Sequence, residues 1–202
     1  MRPSAPLDLA HYLRIQAHAN RLANHRLHGA LAQLSTDELL APRTSFFPTL
    51  LGTLDHILDV DLYYLGSLLG DPATRARVFA REPHATLAPL SAEQADTDER
   101  LVAFCDALTP ASINAVAHMD RGERGTQRDL VGHVLAHLFQ HQTHHRGQVH
   151  AMLSGTRVAP PQLDEFLMSS EAHLRRPEMA ALGWREEDVW GAGDDVGPPG
   201  RN

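Results

Sequence analysis

The chain has 202 residues, room for one sizeable domain and a short appendage. Its 18 Lys and Arg against 25 Asp and Glu give a net charge of −7, which argues against the basic surface that non-specific nucleic-acid binding requires. With 43% hydrophobic and 21% charged residues the composition excludes global disorder, and no apolar run is long enough to span a bilayer. Arg2 is followed by no apolar stretch of the kind a secretory leader carries, and the lone Cys105 cannot close an intrachain disulfide. A cytoplasmic protein without nucleic-acid or membrane partners is the expectation.

Apolar and small residues at Leu9, Leu13, Ala17, Leu22, Ala23, Leu27 and Leu31 predict a first helix over residues 7–34. Ser35-Thr36-Asp37-Glu38 predicts a capped turn of helix that Pro42 ends. A second long helix follows Pro48, runs from Thr49 to Leu69 and stops at Gly70-Asp71-Pro72. Leu50, Leu54, Ile57, Leu58, Leu62, Leu65 and Leu69 form its buried stripe. Residues 71–90 contain three prolines and no clean period, which predicts a long connection. Ser91 then opens a third long helix, to about Leu108. Residues 109–126 break the helical pattern and read as a small β-hairpin or an irregular loop around Gly122 and Gly125.

A fourth long helix is expected from Gln127 to Leu153, ending at Gly155, and a shorter one near Leu163–His173. The Gly- and Pro-rich stretch 191–200 is expected to be disordered. Four long helices with little strand predict an all-α four-helix bundle over residues 1–174. Residues 175–202 form a C-terminal extension whose Trp184 and Trp190 would clamp it to the bundle or to a partner.

Fourteen histidines are present, and six lie in the eighteen residues from His133 to His150. His133, His137, His141 and His145 follow one another at steps of four, each turning about 40° on a helix, and so form a slowly winding stripe. Two imidazoles four residues apart can converge on one cation, the arrangement of helical HxxxH metal sites. The second long helix carries one histidine, His56, and from a facing helix it offers a third ligand. Three neutral imidazoles leave coordination positions open, as catalytic rather than structural metals require. His137 then lines the pocket or supports the ligands from behind. Arg146 either holds an anionic substrate group or makes a salt bridge within the bundle, and Asp61 pairs with a cation elsewhere in it. His144, about 100° around the helix from His145, stays off the ion.

His141-Gln142-Thr143-His144-His145-Arg146-Gly147-Gln148 resembles the NHxTHHRGQ element of the DinB/YfiT-like superfamily of metal-dependent four-helix bundles. Leu54-Asp55-His56, with Asp61 and Tyr64 following, is similar to that family's LNHxxxxDxxW helix, Tyr64 standing where Trp is common. Ala19-Asn20-Arg21-Leu22 and Phe47-Pro48-Thr49-Leu50 extend the resemblance to roughly residues 7–170. It implies a metal triad of His56, His141 and His145, one divalent ion per chain (zinc first, nickel second), and a homodimer. Tyr64, His137 and Arg146 are the accompanying pocket candidates. Because some members act with low-molecular-weight thiols, it further implies a thiol-dependent S-transferase acting on a small-molecule substrate. A metal-dependent hydrolase and a non-catalytic metal-binding stress protein are the alternatives.

Overall fold

The computed structural model describes residues 8–190. Four long helices dominate: α1 (Leu9–Leu31), α3 (Leu50–Leu68), α5 (Leu87–Asp106) and α7 (Val131–Leu153). Helix α1 packs against α5 and α7, and α3 packs against the same two, closing a four-helix bundle. No helix among the described residues is long and apolar enough to cross a membrane.

The caps explain where the elements begin. Asp8 accepts from the His11 amide at the start of α1, and Thr49 accepts from Gly52 at the start of α3. The short helix α2 (Thr36–Leu40) has the predicted capping box, Ser35 with Glu38. Gly70, at φ 72°, turns the chain out of α3 in a conformation that other residues resist.

Three predicted boundaries are corrected. Helix α5 begins at Leu87 rather than Ser91, because Pro89 falls in its first turn, where a missing N–H has no intrahelical acceptor to forgo. The supposed connection over residues 71–90 contains a further helix, α4 (Thr74–Ala80), too short for a periodic signal; it lies so close to α3 that a Cβ on Gly66 would collide with Thr74. Helix α7 begins at Val131, since residues 126–130 belong to a strand.

A single turn, α6 (Pro110–Ile113), leads into that hairpin, in which β1 (Val116–Asp120) pairs antiparallel with β2 (Thr126–Leu130), Val116 opposite Leu130 and Asp120 opposite Thr126. Ala117 and Met119 point into the bundle while their neighbours face out, the period of a half-buried strand. Gly122 and Gly125, both at positive φ, form the tip.

The expected helix near Leu163–His173 is absent; a 3-10 turn covers Ser169–Leu174, followed by α8 (Arg176–Leu182) and α9 (Glu186–Trp190). The carbonyls of Gln162 and Leu174 accept from the Arg26 guanidinium and those of Glu165 and Met168 from Arg175, so arginines replace helix N–H groups as donors. Trp184 packs edge-on against His18 of α1, and Trp190 lies under the Arg175 guanidinium, 4.2 Å away. The stretch 191–200 lies outside the described residues.

The bundle core is divided in two. Leu27, Leu31, Leu54, Leu58, Leu90 and Leu153 fill one end, and Leu13, Ala17, Leu65, Leu101, Leu135 and Leu138 fill the other. Between them the four helices contribute a buried polar layer of Asn20, Asn24, Asp61, Gln94, Asp98, Gln142 and Arg146. His56, His141 and His145 sit on α3 and α7 beside that layer.

Candidate metal centre

One nitrogen from each of His56, His141 and His145 lies within 4.8 Å of the other two. Among the described residues this is the only such group of three or more His, Cys, Asp or Glu side chains. Nε2 of His56 faces Nε2 of His141 at 3.1 Å. Two ligands about 2.0–2.1 Å from a tetrahedral ion stand roughly 3.4 Å apart, so that spacing needs little adjustment to take one.

The electrostatics suit a cation. Burial lowers the pKa of all three imidazoles, and charge on its neighbours His145 and His56 lowers His141 further, to about 4. At neutral pH the rings are therefore uncharged, the state in which imidazole binds a metal. Two neutral rings facing through Nε2 share either one proton or one cation, and His141 Nδ1 has no partner on its far side. The donor set and its protonation state fit a divalent ion.

Gln148, one turn beyond His144, sets the ring of His145. Its Oε1 can only accept, so His145 Nδ1 carries the proton at 2.8 Å and leaves the Nε2 lone pair free for an ion. The Gln148 amide nitrogen in turn donates to His144 Nε2 at 3.2 Å. Gln148→Ala is expected to weaken metal affinity about 10- to 100-fold, measured by competition with a chelating dye, without displacing a ligand. An unchanged affinity would remove Gln148 from the centre. Phe47 walls the other side, stacked on His56 at 4.2 Å between ring centres and tilted toward His145 at 5.8 Å. Phe46 stands edge-on to it, 81% exposed.

The remaining sequence candidates divide. His137 and Tyr64 meet edge to face, 5.3 Å between ring centres, in a cleft of about 800 Å³ that His141 also lines. The cleft lies between α3, α4, α7 and the hairpin tip. A separate cavity of about 510 Å³, lined by His25, His28 and Ser91, opens between α1 and α5 and includes none of the three histidines.

Arg146 points away from the cleft into the polar layer, so it is not placed to hold a substrate anion. It donates to Asn24 Oδ1 at 3.2 Å, to Gln142 Oε1 at 2.9 Å and to Asn20 Oδ1, amide oxygens rather than the carboxylates of the expected salt bridge. Asp61 makes no ion pair among the described residues; Gln94 donates to it at 2.8 Å. His133 pairs with Asp129 on the surface, and His150 reaches the Pro161 carbonyl. Cys105 is buried, which pushes its thiol pKa up and makes it unreactive.

Burial and the nearby charge of Asp98 push Asp61 up to about 8, while Asp98 itself, held by Asn24 and Gln94, is raised only to about 6. Arg146, lowered by burial to about 10, stays charged. At neutral pH the layer therefore holds one cation, one carboxylate and one protonated carboxyl. The native state keeps a proton on Asp61 that the unfolded chain releases near 3.8, so stability falls as pH rises toward 8. Histidines with lowered pKa act oppositely, but only below about 6.5. In metal-free protein, Asp61→Asn is expected to flatten most of the fall in melting temperature between about pH 6.5 and 8. An identical slope in the variant would show that Asp61 is ionised in the native state.

The sequence profile of the DinB family matches residues 12–179, most of the chain, from the first turn of α1 through the other three long helices. The chain therefore belongs to the DinB family, helical bundles here built around a histidine triad that could hold a metal. No curated protein matches it.

Proposed function

We propose that the protein is a metal-dependent enzyme in which His56, His141 and His145 hold one divalent ion, zinc first and nickel second, and that it transfers a thiol to an electrophile. The observation that carries this reading is the position of the triad: His141 borders a cleft large enough for a small molecule, whereas a structural ion would be enclosed by four protein ligands. A divalent metal there supplies a Lewis acid that favours the ionised form of a thiol or water bound to it.

The chain's own groups provide the rest. Phe47 covers His56 and His145 and limits water on that side. His137 lines the cleft without a hydrogen-bond partner among the described residues, so its imidazole is free to accept the thiol proton. The sulfur then bonds to the electrophilic carbon, and the leaving group departs with the bonding pair.

A hydrolase would need a base beside the attacking water. His137 would serve there as it serves the thiol, and it is the base open to either reaction, since of the two carboxylates lining the cleft Asp59 is engaged by Arg81 at 2.7 Å and Asp120 accepts from the Gly122 amide; the products therefore decide between the two. Zinc-loaded protein, offered simple thiols with an aryl halide and, separately, activated esters, is expected to conjugate the thiols in a manner lost in His141→Ala. Ester hydrolysis without conjugation would move the assignment to a hydrolase, and neither activity would leave a binding protein. A homodimer is part of the proposal, checked by light scattering.

A further inference from the structure

We propose that the cleft takes a substrate bearing a carboxylate, held by Arg75, Arg121 and Arg124 while its other end reaches His141. The inference rests on the reading of the histidine triad as a catalytic metal centre and adds the class of molecule that centre acts on.

Four arginines line the cleft, against two carboxylates. Arg81 is already bound, to Asp55 at 2.8 Å and to Asp59 at 2.7 Å. Arg75, Arg121 and Arg124 make no ion pair with any described residue. A chain of net charge −7 thus concentrates three arginines without an ion-pair partner among the described residues in one concavity beside its metal centre, against one carboxylate, Asp120, that is likewise unpaired.

Two of the guanidiniums, those of Arg121 and Arg75, are also held in place. Arg121 donates to the Tyr64 hydroxyl at 3.2 Å and to Gln127 Oε1 at 2.9 Å, and lies 5.1 Å from the centre of the Tyr63 ring. Arg75 lies over the Phe79 ring at 4.6 Å and packs so closely on Gly122 that a Cβ there would clash with its guanidinium. Gly122 therefore serves the approach of Arg75 as well as the turn, and it brings a cation from α4 against the hairpin tip that carries the other two. Planar forks oriented in this way match a carboxylate, and the aromatic rings supply an apolar wall behind it.

Cobalt(II)-loaded protein tests this with a matched pair of probes, 3-mercaptopropionate and its neutral amide, read from the thiolate-to-cobalt absorption band. The wild type is expected to bind the carboxylate about tenfold more tightly. In Arg121→Gln and in Arg75→Gln/Arg124→Gln the preference should fall to within about twofold, with cobalt content and amide affinity unchanged. Arg128→Gln, outside the cleft, should keep it. Equal affinities in the wild type, or a preference indifferent to the arginines, would overturn the subsite while leaving the thiol reading intact.

Glutarate, which has no thiol, is titrated in parallel by calorimetry. Arginine-dependent glutarate binding, with neither thiol reaching the cobalt, would keep the subsite and overturn thiol chemistry. Failure of glutarate and both thiols to bind would overturn the subsite.

Discussion

Alanine at His141 is expected to lower affinity for zinc by roughly two to three orders of magnitude. A structural zinc contributes about 10–16 kcal/mol through four ligands, or ~2.5–4 kcal/mol for each. The His141 ring lies 5.0 Å from that of His56 and 4.4 Å from that of His145 between ring centres, and His141 is the member of the triad that also borders the cleft. Its removal leaves two ligands on different helices with no replacement at hand. His137, the nearest candidate for substitution, has its ring centre 6.3 Å from that of His141 and packs on Tyr64. Competition titration with a chelating dye measures the loss. A change of less than about tenfold would mean that His141 is not a ligand or that His137 takes its place.

The largest effect on stability is expected at Arg146, whose guanidinium is buried in the polar layer and balances Asp98. Arg146→Met keeps much of the volume and removes the charge, leaving Asp98 only Arg21, itself paired with Glu99, as a nearby cation and the amide oxygens of Asn20, Asn24 and Gln142 without their donor. Breaking one side of a buried charge arrangement costs about 3–5 kcal/mol, or roughly 10 °C in melting temperature for a chain of this size. The defect should shrink as pH falls toward 5, because Asp98, already raised to about 6, then gives up its charge. Asp98→Asn introduced beside Arg146→Met should recover part of the loss, which the double-mutant cycle reads as coupling. A melting temperature within a few degrees of wild type would show the layer to be solvated.

The bundle was legible because its long helices carry uninterrupted apolar stripes and are bounded by residues with plain steric meaning, such as Pro48, Gly70 and Gly155. The residues of the metal centre were legible because a helix converts the spacing of His141 and His145 into adjacency, and because His56 interrupts an otherwise apolar face.

The partners of those residues were hidden, since they depend on which faces meet. Arg146 follows His145 in sequence yet turns into the core, where it meets Asn20 and Asn24 from a helix more than a hundred residues earlier. A signal for that layer existed: Asn20 and Asn24, Gln94 and Asp98, and Gln142 and Arg146 are polar pairs four residues apart at positions that should be apolar. Helix α4 escaped because so short an element is held by tertiary contact, whereas a hairpin or loop around Gly122 and Gly125 was legible and only the second strand, running on to Leu130, was assigned to the helix that follows. The cleft that α4 and the hairpin tip form with α3 and α7, which brings Arg75 to Gly122, could not be read from spacing.

Elemental analysis of untagged protein, wild type beside His56→Ala, His141→Ala and His145→Ala, tests the metal centre most directly. Close to one divalent metal ion per chain in the wild type, lost in all three variants with folding retained by circular dichroism, is the expected result. Wild-type protein free of metal after growth with added zinc and nickel, or variants that keep their ion, would contradict it and return the three histidines to core packing.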